Sequence, residues 1–293
     1  MGGNEQFSKG GIMSGLNDLL SAARAADIDN DNSLEYNKYS NDEKFNYITL
    51  ELSREFGNKL AFKGGYMLTK IMTETARRTV DVDLSILTDE IYEDIKTRLS
   101  AICEKFMAEG VIDRYEVKPE VKPTMSGGVS MYKDGKNIMG VDVGWHDLSY
   151  GITVHHTPIG DIRGFEIERM LADKVSAVLS RKRFRRPKDI YDICMIMHSF
   201  NFDSSKILDY IKKRDEHSGR PTEWSNFPFT QEILKEYEKA YGKLIVNSVY
   251  KGRVLTKPEF RYVYSKFSDL VSNLLSSNSL RYWDFGMQCF KER

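Results

Sequence analysis

The chain has 293 residues, 41% of them hydrophobic and 12% aromatic, enough for one large domain or two modest ones with real cores. Lysine plus arginine equals aspartate plus glutamate, 43 each, so no global charge recruits nucleic acid and any such contact must come from a local patch. Cys103, Cys194 and Cys289 are odd in number and widely spaced, which argues against a disulfide framework or zinc ribbon and suits a reducing compartment.

No run approaches the roughly 18 apolar residues of a membrane span. The opening, "MGGNEQFSKGGIMSGL", lacks the apolar core of a signal peptide and reads as a loose leader, so a cytoplasmic protein is expected. Residues 14–26 predict a short helix with Leu16, Leu19, Leu20 and Ala23 on one face. "DIDNDNSLEYNK" invites comparison with a calcium loop. However, Asn32 stands where that loop needs glycine and Lys38 where it needs a bidentate glutamate, so a polar linker is expected.

Ser40 and Glu43 form a capping box that opens a helix carrying Phe45, Ile48, Leu52 and Phe56. It leads into Leu60-Ala61-Phe62 and a Gly64-Gly65 turn, then a second helix through Leu68, Ile71 and Met72. Val80–Leu87 reads as a strand, and "TDEIYEDIKTRLSAICEKFMAE" as an amphipathic helix through Ile91, Ile95, Leu99, Ile102 and Phe106. Strands are predicted over 114–121, 129–133 and 137–145, the last two joined by an Asp134-Gly135 hairpin, and another over 151–158. From Glu166 the texture turns helical: "EIERMLADKVSAVLSRK", a helix opening at Pro187, then 203–214, 230–241 and 256–276, the last begun by a Thr256–Glu259 capping box. These elements predict an α+β protein: a leader over 1–39, a mixed β-sheet core with flanking helices over 40–165, and a C-terminal helical domain over 166–293.

Strand residues i and i+2 share a face, so Asp81 and Asp83 project together while Val82 and Leu84 face a core. Two carboxylates at that spacing repel, and a hard divalent cation such as Mg²⁺ relieves the conflict. In "NIMGVDVGW", Asp142 lies on a strand face between Gly140 and Gly144, where a ligand can approach closely. It is the candidate third carboxylate.

These residues resemble the AbiEii/MenT group of toxin-type nucleotidyltransferases, within the DNA polymerase beta-like nucleotidyltransferase superfamily. The shared pattern is Phe-Lys-Gly-Gly, here Phe62 to Gly65, then Arg-x-Thr-x-Asp-x-Asp, here Arg77 to Asp83, with Asp142 matching the third aspartate. "LADKVSAVL" matches the family's segment at Lys174, and "RPKDIYD" its signature at Arg186, Lys188, Asp189, Tyr191 and Asp192. Tyr66 departs from the serine or threonine usual after Gly-Gly.

The resemblance implies a nucleotidyltransferase-type core and transfer of a nucleotide from an NTP to an acceptor hydroxyl. It also implies toxin function in a toxin–antitoxin or abortive-infection (phage defence) system, with tRNA as acceptor and an antitoxin partner. Asp81, Asp83 and Asp142 would hold Mg²⁺ or Mn²⁺, joined as catalytic residues by Lys174 and Asp189. Lys63, Gly64, Gly65, Arg77, Thr79, Arg186 and Lys188 would grip the nucleotide. Lys174 lies beside the apolar stripe Ile167, Leu171, Val175 and Val178, which alone suggests a lysine reaching for water. Residues 181–188, "RKRFRRPK", make the concentrated basic patch that could steer RNA. His146, His155, His156, His198 and His217 read as structural or surface groups. Two rival readings share the donor site: nucleotidylation of a protein hydroxyl, and a non-catalytic nucleotide- or RNA-binding module.

Overall fold

A computed structural model describes residues 41–72, 77, 79, 81–86, 91–121, 126–145, 150–180, 186–244, 249–250, 253–254, 257–276 and 282–292. The expected leader, the 14–26 helix, the 27–38 linker, Ser40, Arg78, Val80, Leu87, His146, residues 181–185 and Thr256 lie outside them.

The first helix, α1 (Asn41–Phe56), buries Phe45, Ile48, Leu52 and Phe56 at the expected helical spacing. A short 3₁₀ turn leads to β1 (Leu60–Lys63), which passes directly into α2 (Gly64–Ile71). Next come β2 (Asp81–Ile86) and α3 (Tyr92–Ala108), the latter burying Ile95, Leu99, Ile102 and Phe106. Strands β3 (Arg114–Val121), β4 (Ser126–Lys133), β5 (Lys136–Trp145), β6 (Ile152–Thr157) and β7 (Gly160–Phe165) follow. Asp134 and Gly135, at φ 49° and 72°, make the β4–β5 turn with both central residues left-handed, the geometry that suits strand twist.

Among the described residues these seven strands form one mixed sheet in the order β3-β4-β5-β2-β1-β7-β6. The β2–β5 and β1–β7 pairs are parallel and the other neighbours antiparallel. Val82, Leu84, Val129, Met131, Met139, Val141 and Val143 are fully buried on one face. The alternate positions of the same strands carry the polar residues of the site, so core and site are opposite sides of one pleat.

The second half contains α4 (Ile167–Leu179), α5 (Pro187–Ser199), β8 (Phe202–Asp203), α6 (Ser204–Ser218) and α7 (Gln231–Gly242). Then come β9 (Val249–Tyr250), β10 (Arg253–Val254), α8 (Phe260–Leu275), β11 (Tyr282–Asp284) and β12 (Cys289–Lys291). Helix α5 is central: it packs against α4, α7 and α8, and every residue from Asp189 to Met197 is buried. Among the described residues no helix is long and apolar enough to cross a membrane.

Several expectations are corrected. Strand β7 was not anticipated, because "GDIRGF" has two glycines and no β-branched run, yet it pairs parallel with β1 and extends the sheet. Strand β4 begins at Ser126, three residues early, because Gly127 and Gly128 belong to the ladder rather than to a turn. The last long helix starts at Phe260, and its N-cap, Glu259, makes no side-chain capping bond. Pro258 disfavours helical geometry at Lys257, and the Lys257 ammonium donates instead to the carbonyls of Tyr241 and Leu244 at 2.8 and 2.9 Å, closing the end of α7. Nor is this half purely helical: β8, β11 and β12 form a small antiparallel sheet.

Candidate active site

The Gly64-Gly65 pair sits at the strand-to-helix passage, and each glycine makes room for a different partner. Gly64 has φ +68°, a left-handed conformation that favours glycine, and a side chain there would stand 2.2 Å from Asp83 Oδ2. At Gly65 a side chain would meet the Arg77 guanidinium at 2.6 Å. The pair thus admits one carboxylate and one guanidinium against the start of α2. Tyr66, the departure from the family pattern, is a core residue. Its ring packs against Phe45 and Phe62, and its buried hydroxyl accepts a 2.8 Å hydrogen bond from Thr49.

Across the sheet, strand register assembles a transverse row. Lys63 on β1 is paired with Asp83 on β2, Asp83 with Asp142 on β5, Asp142 with Gly128 on β4, and Gly128 with Lys118 on β3. Two lysines therefore bracket two aspartates on one face, with a glycine between Lys118 and Asp142. Asp81 lies one pleat away, beside Gly140, where a side chain would stand 2.9 Å from Asp81 Oδ1. The Lys118 ammonium is ion-paired with Asp142.

Two neighbours in the row, Asp83 and Lys63, are electrostatically uncomfortable. Burial holds the Asp83 carboxyl above the usual range; Lys63 opposes this, while the charges of Asp142 and Asp81 reinforce it. Burial likewise depresses Lys63, against the pull of Asp173 and Asp83. Thr79, just upstream, spends its hydroxyl on the Asp81 carbonyl at 3.1 Å and so fixes the start of β2.

A second charged assembly faces this row from the helical half. The Arg77 fork donates two 3.0 Å hydrogen bonds to Asp192 on α5. Lys174 on α4 donates to Asp192 at 2.6 Å and to Asp189 at 3.5 Å, and Asp189 also accepts from Arg186 at 3.2 Å. Charges alternate along Arg77, Asp192, Lys174, Asp189 and Arg186, nearly all of it buried. Burial alone would raise the Asp192 carboxyl, but the Lys174 and Arg77 charges and their hydrogen bonds hold it below its ordinary value. The same carboxylates keep Lys174 protonated against its burial.

Between the two assemblies lies a cavity of about 360 Å³, lined by Lys63 and Asp83 from the strands, Gly64 from the start of α2, Asp173 and Lys174 from α4, and Arg186 and Asp189 from the start of α5. That volume is in the range of small-ligand pockets. Six of the expected residues thus meet around one space: Lys63, Gly64, Asp83, Lys174, Arg186 and Asp189. Asp142 and Asp81 extend the polar face beyond Asp83, and the Lys188 charge reaches Asp83 from α5.

Other expected residues have different surroundings. Arg77, expected to face phosphate, is bound by Asp192; Gly65 is backed by that same guanidinium; and Thr79 is turned to the backbone. Lys174, expected against the strand aspartates, takes Asp192 and Asp189 as its carboxylate partners.

Asp81, Asp83 and Asp142 offer hard oxygen donors on one face; burial raises the Asp83 carboxyl, the charges of Asp142 and Asp81 add to it, and a divalent cation would relieve that added repulsion. Among the described residues no three acidic, histidine or cysteine side chains close into a preformed cage. Hard carboxylate oxygens of this kind fit Mg²⁺, which prefers one or two carboxylates completed by phosphates.

Three residues of the arrangement had no role assigned from sequence. Asp192 lies one helical turn from Asp189, a spacing that puts both on one face of α5 and could have signalled it. Asp173 is next to Lys174 but projects into the cavity, an angle that periodicity does not resolve. Lys118 depends on the β3–β4 register, for which the sequence holds no turn signal comparable to Asp134-Gly135.

A family model described as "Nucleotidyl transferase AbiEii toxin, Type IV TA system" matches residues 51–265. No curated protein matches the chain. Similar solved structures include MenT4, a nucleotidyltransferase toxin of Mycobacterium tuberculosis, at 16% identity over 81% of this chain and 84% of that one, with a TM-score of 0.47. JHP933 from Helicobacter pylori is 12% identical over 80% and 90% of the two chains, also with a TM-score of 0.47. The antibiotic-resistance factor ANT(2'')-Ia is 14% identical over 59% and 91%, with a TM-score of 0.41.

Proposed function

Since the chain belongs to the AbiEii family of nucleotidyl transferase toxins of type IV toxin–antitoxin systems, we propose that it moves a nucleotidyl group from an NTP to an RNA hydroxyl, with tRNA as acceptor. The observation that carries this reading is the register row that sets Asp83 beside Asp142 at the edge of a cavity walled by Lys63, Lys174 and Arg186. The cationic side chains Lys63, Lys174 and Arg186 suit a triphosphate. The Asp83 carboxylate and its neighbours in the row suit the cation that accompanies it.

In this reading the acceptor oxygen attacks the α-phosphorus, a new P–O bond forms, and pyrophosphate departs with the electrons of the bond that breaks. Asp81, Asp83 and Asp142 would hold a divalent cation, whose charge would offset that of the phosphates and of the attacking oxygen. Asp142, whose side chain is 48% exposed, would accept the hydroxyl proton. Lys63 and Arg186 bind phosphate oxygens, and Lys174, held protonated by Asp192, presents its charge to the departing pyrophosphate. The protein would act in the cytoplasm under the control of a protein antitoxin, as part of phage defence.

Purified protein incubated with each labelled NTP, Mg²⁺ and total RNA tests the reading. Label in the tRNA band that disappears on chelation supports it. Label on protein instead would favour protein nucleotidylation, and binding of NTP without transfer a non-catalytic module.

A further inference from the structure

We infer that Lys118 is a positioning residue for the cation site: its ammonium is the built-in counter-ion of Asp142, close to Asp81, and it yields its place to the divalent cation. The inference rests on the assignment of those carboxylates as cation ligands.

Lys118 lies at the far end of the transverse row, on the edge strand β3 and two strands away from Asp142. A side chain on β4 would ordinarily stand between them. Gly128 occupies that place at φ +124°, and a side chain there would run 1.9 Å from the Val141 carbonyl oxygen, so the corridor is open by construction. Through it Lys118 reaches and pairs with Asp142.

The second glycine, Gly140, makes the same case from the other side. The space its missing side chain would fill is bordered by Asp81 Oδ1 at 2.9 Å and by Lys118 Nζ at 3.3 Å. Lys118 Nζ and Asp81 Oδ1 thus border the same vacant space, beside the Asp142 carboxylate with which Lys118 is paired, and a hard cation shared by the two strands would sit there. The pair is not sealed away: the Lys118 and Asp142 side chains are 29% and 48% exposed. A lysine on a flexible four-carbon stem can swing out to water from such a place, whereas a buried pair could not.

Two consequences follow from exchange rather than permanent pairing. Without cation, Lys118 offsets the like-charge repulsion of the row; with cation, it must leave, and its pairing opposes binding. Lys118 thus sets the cation concentration at which the site fills.

The test is Mn²⁺ binding to the full chain without nucleotide, read from the electron paramagnetic resonance signal of free Mn²⁺. Lys118→Met keeps the stem and removes the charge, and it should bind Mn²⁺ about tenfold tighter, a discounted effect for a half-exposed unit charge at contact distance. Lys118→Arg keeps the charge and should stay close to the natural protein. The melting temperature of Lys118→Met should also rise more on Mn²⁺ addition than that of the natural chain. Lys118→Gln serves the same comparison if Lys118→Met shows an unfolded circular-dichroism spectrum.

Equal or weaker Mn²⁺ affinity in the charge-free, folded variants overturns the role of Lys118 alone. Absence of Mn²⁺ binding in all of them, the natural chain included, both without nucleotide and with a non-hydrolysable NTP analogue added, overturns the carboxylate assignment with it.

Discussion

Asp83 is the residue at which every part of the site meets. It borders the cavity, it is the register partner of both Lys63 and Asp142, and only a glycine at position 64 leaves room for it. Its carboxyl is held above the ordinary value, so the folded state retains its proton more readily than the unfolded chain. The stability this contributes is present below the unfolded value, about 3.9, and is lost as pH rises through the folded one. At neutral pH burying this carboxyl is therefore a cost. Asp83→Asn should abolish nucleotidyl transfer and, in chelator at neutral pH, raise the melting temperature by about 2–4 °C, corresponding to roughly 1 kcal/mol. That gain should shrink as pH falls toward the ordinary carboxylate value. A variant that melts lower at neutral pH, or keeps full transfer, contradicts the assignment. The site in this view holds unfavourable charge in readiness for its substrate, the usual opposition between stability and activity.

At the scale of elements, the Arg77–Asp192–Lys174 assembly joins the segment before β2 to α5 and α4. Both members of the Arg77–Asp192 pair are nearly inaccessible, so removing Arg77 leaves a buried carboxylate with Lys174 alone of its two cationic partners. Arg77→Met should cost about 3–5 kcal/mol in urea unfolding, and Arg77→Lys should recover only part, because an ammonium cannot supply the two-pronged contact. A loss below about 1 kcal/mol would mark the pair as incidental. Much of this architecture was legible beforehand. Period-two alternation exposed β2 and β5, period-3.6 stripes exposed α1, α3 and α4, and Asp134-Gly135 marked a hairpin. What periodicity does not carry is pairing between distant segments. The parallel β2–β5 register, the reach of Lys118 and the choice of Asp192 by Arg77 are tertiary facts, each linking residues 24 to 115 positions apart. Strand β7 and the β8–β11–β12 sheet escaped because short, glycine-containing or two- and three-residue strands have too few positions to show a period.

For the molecule as a whole, the C-terminal hairpin extends the fold beyond residue 265, where the family match ends. Trp283 on β11 is 1% exposed, stacks on Phe202 and donates a 2.7 Å hydrogen bond to the Met197 carbonyl at the end of α5. Trp283→Ala should cost about 3–5 kcal/mol, measured by urea unfolding, while α5 still presents Asp189 to the cavity. Nucleotide binding at saturating protein stability, below the melting range, should survive; its loss there would show that the hairpin supports the site directly. The parallel alignment of β2 with β5 carries a last consequence. Side chains alternate strictly along a strand, so a slip of one residue in either partner would turn its aspartates inward and its valines outward. Misalignment of the reactive groups is thereby made as costly as turning the hydrophobic interior inside out, and the chain cannot misplace its chemistry while keeping its shape.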